Sequence, residues 1–131
     1  LINDWDTNIF NYFEDMDLCL RFRLKGFEII KIRNAEVDHD AFSSHDENFS
    51  KQMDFSRNWH YSWSSFYFLK KQTTNFNAYK FGISLFLKSI IKSLFYIFFK
   101  RYKSITHFAK AYGIFFAILN LKSKYRPKIT I

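Results

Sequence analysis

Residues 14–40 read EDMDLCLRFRLKGFEIIKIRNAEVDHD, and the fold class turns on this run. Glu14 to Lys25 reads as a helix, with Met16, Leu18, Cys19, Leu20, Phe22 and Leu24 packed more densely than one clean stripe. Glu14, Asp15 and Asp17 crowd its start, and Arg21, Arg23 and Lys25 crowd its end, the order a helix dipole favours. Asn11 stands just upstream as a cap, and Gly26 supplies a left-handed stop. Asp17 and Arg21 are spaced for an ion pair along one helix face. Phe27 to Ile32 is apolar and rich in β-branched residues, which predicts a strand that Asn34 breaks. Ala35, Val37 and His39 then share one face of a second short strand, with Glu36, Asp38 and Asp40 on the other. A helix followed by short strands predicts an α/β fold.

Downstream, residues 41–56 are polar and read as a loop. Residues 57–71, RNWHYSWSSFYFLKK, are crowded with aromatics and read as a helix. Gln72 to Asn77 is a polar break. From Tyr79 onward the chain is rich in Phe, Ile and Leu with regularly placed Lys. With Lys80 as zero, Lys88, Lys92, Lys103 and Lys110 fall at about 80°, 120°, 140° and 120° around a helix, one basic stripe. A break near Ser104 to Thr106 is expected, since either residue can cap a second helix. Lys residues interrupt every apolar run before it reaches the length of a simple transmembrane span.

The charges divide unevenly. All 12 acids lie at or before Asp54, and from Phe55 to Ile131 the chain carries only bases, 14 of the 20 Lys and Arg. The composition, 48% hydrophobic and 22% aromatic, excludes a disordered chain. A single cysteine, Cys19, excludes a disulfide framework or a zinc ribbon. The stretch from Leu1 to Phe13 holds acids and no base, the reverse of a signal peptide's start.

The chemistry-bearing candidates follow from this layout. Glu14, Asp15 and Asp17 repel one another, and repulsion with partial burial suits one of them to act as a general base. The bland alternative is an acidic first turn. Asp-x-Asp occurs at Asp4/Asp6, Asp15/Asp17 and Asp38/Asp40, a pattern that can hold Mg²⁺ or Mn²⁺ through oxygen ligands. His39, between two carboxylates, suits a metal or phosphate, or equally a satisfied core histidine.

Residues 5–39, WDTNIFNYFEDMDLCLRFRLKGFEIIKIRNAEVDH, resemble the C-terminal half of the catalytic domain of family 2 glycosyltransferases, in particular the bacterial rhamnosyltransferase-like group. RNWHYSWSSFYFLKK is similar to the helix that follows in that group, so the resemblance spans residues 5–71. It implies the C-terminal half of a GT-A catalytic domain over residues 1–77. A basic, amphipathic, mostly α-helical tail follows over 78–131. It also implies inverting transfer of a sugar, such as the deoxysugar rhamnose, from a nucleotide-sugar donor. The acceptor would be a glycan or polyprenyl-linked molecule in cell-surface polysaccharide synthesis. Asp15 would be the base and Glu14 its assistant. His39 would be a ligand of a divalent metal, Mg²⁺ or Mn²⁺, or of the diphosphate. Arg57 would contact the diphosphate, and Trp59 and His60 would line the sugar site, with helix packing as the competing role for Trp59. The donor-binding half is not represented in these residues, so the chain is expected to be a fragment that is inactive alone.

The basic tail fits an interfacial pair of helices on anionic lipid, which implies a peripheral location on the cytoplasmic face of the bacterial inner membrane. Two non-enzymatic readings compete: a membrane-peripheral adaptor, and a nucleic-acid-binding module using lysines and stacked aromatics. The lysines stand at helical intervals among Phe, Ile and Leu, not in Arg-rich polar clusters, which argues against nucleic acid.

Overall fold

A computed structural model describes residues 5–38 and 49–127. Among them are four helices: α1 (Glu14–Leu24), α2 (Ser50–Gln72), α3 (Asn75–Ile97) and α4 (Arg101–Ile118). α3 and α4 form a hairpin, and α4 also lies along α2, so it is the central helix; α2 and α3 meet over a shorter stretch.

α2 carries the large side chains of the core. Trp59, Trp63 and Phe66 are buried against Ala78 of α3 and Ile114 and Ala117 of α4. α4 answers with small residues. A Cβ on Gly113 would overlap the Trp59 carbonyl group, 2.9 Å from its carbon and closer still to its oxygen, so the two backbones touch where only hydrogen fits. α3 and α4 meet through Gly82, Ser89 and Ser93 on one side and Ser104 and Ala111 on the other, all buried. The hairpin is clasped near its turn by two reciprocal bonds. Ser93 Oγ donates to the Ser104 carbonyl at 3.0 Å, and Ser104 Oγ donates to the Ser93 carbonyl at 2.8 Å.

The flanking segments are tied to α2. Asn11 accepts a bond from Ser64 Oγ through its carbonyl at 2.8 Å, and Trp63 Nε1 donates to the Leu121 carbonyl at 2.9 Å. The end of α1 follows the sequence closely. Gly26 takes φ +85°, its N–H and that of Phe27 return to Arg23 and Phe22, and the Phe22 and Phe27 rings meet at 5.5 Å.

The expected α/β fold, as the C-terminal half of a GT-A domain with short strands, is not what forms. Among the described residues there is no strand, and residues 27–38 run without helix or ladder. A lone β-prone segment has no neighbour to take its N–H and C=O groups, so propensity alone makes no strand. Ile30 and Val37 are accordingly 77% and 86% exposed. Three boundaries also move. α2 starts at Ser50, inside the expected loop. The α3–α4 break falls at residues 98–100, not at 104–106, because Ser104 turns inward to Ser93. Thr74 caps α3, its hydroxyl accepting the Asn77 N–H at 3.3 Å. The expected domain boundary at Asn77 therefore lies in the first turn of α3.

Candidate active site

The three carboxylates at the start of α1 have different surroundings. Asp17 is fully buried. Arg21 Nε bonds its Oδ2 at 3.0 Å, the ion pair expected from their spacing, and Lys71 Nζ lies 2.5 Å from its Oδ1. Lys71 also bonds Asp6 at 2.8 Å, and Tyr67 donates to Asp6 at 3.1 Å. Burial acts to raise the Asp6 carboxyl, but bonds from Lys71 and Asn8 and the Lys71 charge outweigh it and hold its pKa at about 2. Burial likewise disfavours the Lys71 ammonium, and its bonds to Asp17 and Asp6 overcome this and raise its pKa. Through Lys71 the network joins both Asp6 and Asp17 to the last turn of α2.

Asp15 is exposed, and its Oδ1 accepts the Met16 N–H at 2.8 Å. Glu14 is half-buried, and its Oε2 is a buried atom that accepts no hydrogen bond among the described residues.

The turn into α1 is strained. Tyr12 and Phe13 take φ +67° and +68°, the left-handed region that side-chain-bearing residues avoid. Each such residue costs on the order of 1–3 kcal/mol and persists only where its surroundings hold it. Here the rings do so: Tyr12 packs on Tyr61 at 5.6 Å, and Phe13 packs on Tyr61 and Phe68 at 5.4 and 5.6 Å. Asn11, expected as the helix cap, instead accepts the Tyr12 N–H at 3.1 Å through its side chain. The turn packs Tyr12 and Phe13 on the middle of α2, and Asp17 reaches its last turn through Lys71. Burial raises the Tyr12 pKa; the Arg57 charge opposes this, and the Glu14 and Asp54 charges add to it.

Arg57 pairs with Asp54 at 3.4 Å, and Asp54 also accepts the Tyr102 hydroxyl at 3.1 Å. Asp54 opens onto a groove of about 440 Å³ between the N-terminal ends of α2 and α4. Lys51, Phe55, Arg101, Tyr102 and Ile105 line it, giving an apolar floor with cations at the rim. Its size is within the roughly 300–1,000 Å³ typical of small-molecule clefts.

Trp59 and His60 lie elsewhere. Trp59 is fully buried and stacks on Tyr125 at 5.6 Å. His60 is also fully buried, with Nε2 2.9 Å from the Tyr125 carbonyl and Nδ1 3.0 Å from Ser123 Oγ. Burial, reinforced by the Arg126 charge and opposed by the Tyr125 bond, lowers its pKa to about 4. The ring is therefore neutral near pH 7. Nε2–H must donate to the carbonyl, which leaves Nδ1 to accept from Ser123. Both rings pack the C-terminal segment onto α2, and neither lines the groove.

His39 and Asp40 lie outside the described residues. Among the described residues no three His, Cys, Asp or Glu side chains converge as a metal site. Burial, reinforced by the charges of Lys110, Lys92 and Lys103, lowers the pKa of His107. Among the described residues no helix is long and apolar enough to cross a membrane.

Sequence reasoning does not reach the strained Tyr12–Phe13 turn or the Lys71 bridge. A positive φ at an aromatic residue has no sequence signal, and Lys71 meets Asp17 only through tertiary contact. No family model, curated protein or solved structure matches the chain, so the likeness to family 2 glycosyltransferases rests on its motif residues alone.

Proposed function

We propose that this chain contributes the acceptor side of an inverting glycosyltransferase working at a membrane surface. One observation carries the reading: the Glu14-Asp15-x-Asp17 motif is divided by the fold. Asp17 is consumed by Arg21 and Lys71, whereas Asp15 stays exposed and Glu14 keeps a buried oxygen without a partner among the described residues. A motif serving only the helix dipole has no need for this division.

In the proposed step, the acceptor hydroxyl attacks the anomeric carbon of a nucleotide sugar. Asp15 takes the hydroxyl proton through Oδ2, since Oδ1 is engaged by Met16. The bond to the diphosphate breaks, and the diphosphate leaves with its electron pair, inverting the centre. Glu14 holds the acceptor, and Arg57 supplies positive charge toward the leaving group. The resemblance also implies a divalent cation, Mg²⁺ or Mn²⁺, with His39 as a ligand, and His39 lies outside the described residues. The deoxysugar donor, such as nucleotide-linked rhamnose, and the glycan or polyprenyl-linked acceptor come from the motif resemblance.

The basic, apolar α3–α4 hairpin supports a peripheral location on the cytoplasmic face of the bacterial inner membrane. Each Lys near an anionic surface contributes about 1 kcal/mol.

The test is sugar transfer from a radiolabelled nucleotide deoxysugar to membrane lipid by the full-length protein. Asp15→Asn should abolish transfer with helical content unchanged. Undiminished transfer would remove Asp15 as base and favour a non-catalytic membrane-peripheral module.

A further inference from the structure

The last turn of α3 and the connection to α4 differ from the rest of the hairpin. Farther along, each helix has a buried face of small residues and an outer face. Here Leu94, Phe95, Ile97, Phe98 and Phe99 are all exposed, Phe98 and Phe99 at 84% and 71%. They follow one another too closely to share a single stripe, so the end of the hairpin is apolar on every side except where Ser93 and Tyr96 face α4. A contiguous exposed patch of this kind marks an interaction surface.

Lys92, Lys100, Arg101 and Lys103 stand immediately around it, all exposed. Asp54, the acid that faces the start of α4, is already engaged by Arg57 and Tyr102. The Ser93–Ser104 clasp lies just inside the apolar end and fixes its shape. Lys103 Nζ is held 5.5 Å over the Tyr96 ring, which stacks on His107.

We propose that this tip is a pre-formed wedge that enters an anionic lipid bilayer, Phe98 and Phe99 first, with Lys92, Lys100, Arg101 and Lys103 as a collar in the headgroups. The inference rests on the membrane half of the proposed function and not on the sugar chemistry. A wet apolar tip ringed by cations matches the boundary of an anionic membrane, where rings enter the acyl region and ammonium groups stay with phosphates. A second copy of the chain fits poorly, because tip-to-tip contact would bring two cationic collars together.

The experiment uses the full chain with vesicles of phosphatidylcholine, with and without phosphatidylglycerol. Flotation should occur with the anionic vesicles and fall steeply as salt is raised. Phe98→Ser with Phe99→Ser should weaken partition by about tenfold or more, since two aromatic insertions are lost. Unchanged helical circular dichroism would show that the fold survives. Depth is read from Phe99→Trp and Ile91→Trp in brominated lipid. Strong quenching at position 99 and weak quenching at 91 is the expected result. Equal quenching at both would replace the wedge with a flat α3, and no flotation with anionic vesicles at low salt would overturn the proposal. Neither outcome bears on transfer to a soluble acceptor analogue, so failure of the membrane proposal is distinct from failure of the enzymatic one.

Discussion

Lys71 Nζ lies 2.5 Å from Asp17 Oδ1, joining the last turn of α2 to the first turn of α1. Asp17 is fully buried, so the contact neutralises a carboxylate that water does not reach. Removing one partner of such a pair leaves the other charge enclosed, at a cost of about 3–5 kcal/mol. Lys71 is partly exposed and Arg21 also bonds Asp17, so Lys71→Met is expected below that range, at about 2–3 kcal/mol. Urea unfolding followed by tryptophan fluorescence measures it.

Acid should weaken the fold in two windows. His60 has a folded pKa of about 4 against an ordinary 6.5, so the unfolded chain takes the proton first as pH falls through that interval. Protons therefore favour unfolding, and stability declines from pH 6.5 toward 4. Asp6, depressed from 3.8 to about 2, adds a second decline below pH 4, because its carboxylate is stabilised only when folded. His60→Asn should be less stable at pH 7 but show a flattened slope between pH 6.5 and 4. Thermal melts across this range read both effects.

The two core glycines should respond differently to alanine. At Gly113 the added Cβ runs into the backbone carbonyl of Trp59, so α2 and α4 must separate. Overpacking typically costs about 1–3 kcal/mol, and Gly113→Ala is expected at or above the top of that range. At Gly82 the nearest atoms belong to the buried Phe66 ring, at 2.8 Å, so the clash is with a side chain and not with backbone. Gly82→Ala should cost less than Gly113→Ala, within about 1–3 kcal/mol. Denaturant midpoints of the two variants decide the ordering.

Asp15→Asn should reduce sugar transfer by about 100-fold or more, the usual contribution of a positioned general base. Asp17→Asn should instead lower stability, with transfer lost only in proportion to unfolded protein. A parallel measurement of transfer and melting temperature separates the two carboxylates.

Much of the local structure is legible in the chain. Gly26 stops α1 because only glycine enters its left-handed position without strain. The Asp17–Arg21 pair follows from spacing, and α2 follows from the aromatic run, although its start does not. The strands expected at 27–32 and 35–40, the latter described only as far as Asp38, have no such local basis. β-propensity describes how a segment fits beside others, and residues 27–38 pair with no neighbour among the described residues. Within the candidate site, the sequence marks Glu14, Asp15 and Arg57, but not the strained Tyr12–Phe13 turn that leads into the motif.

The charge division, the helices of the apolar half and the acidic motif are all set by composition and by contacts within a few residues, so they can be read directly from the chain. Which carboxylate of the motif is spent depends on packing. Asp15 and Asp17 are the same residue type two positions apart, yet Lys71, 54 positions beyond Asp17, reaches only the second. Helix rotation turns one carboxylate toward α2 and the other toward water, and no local signal distinguishes their desolvation.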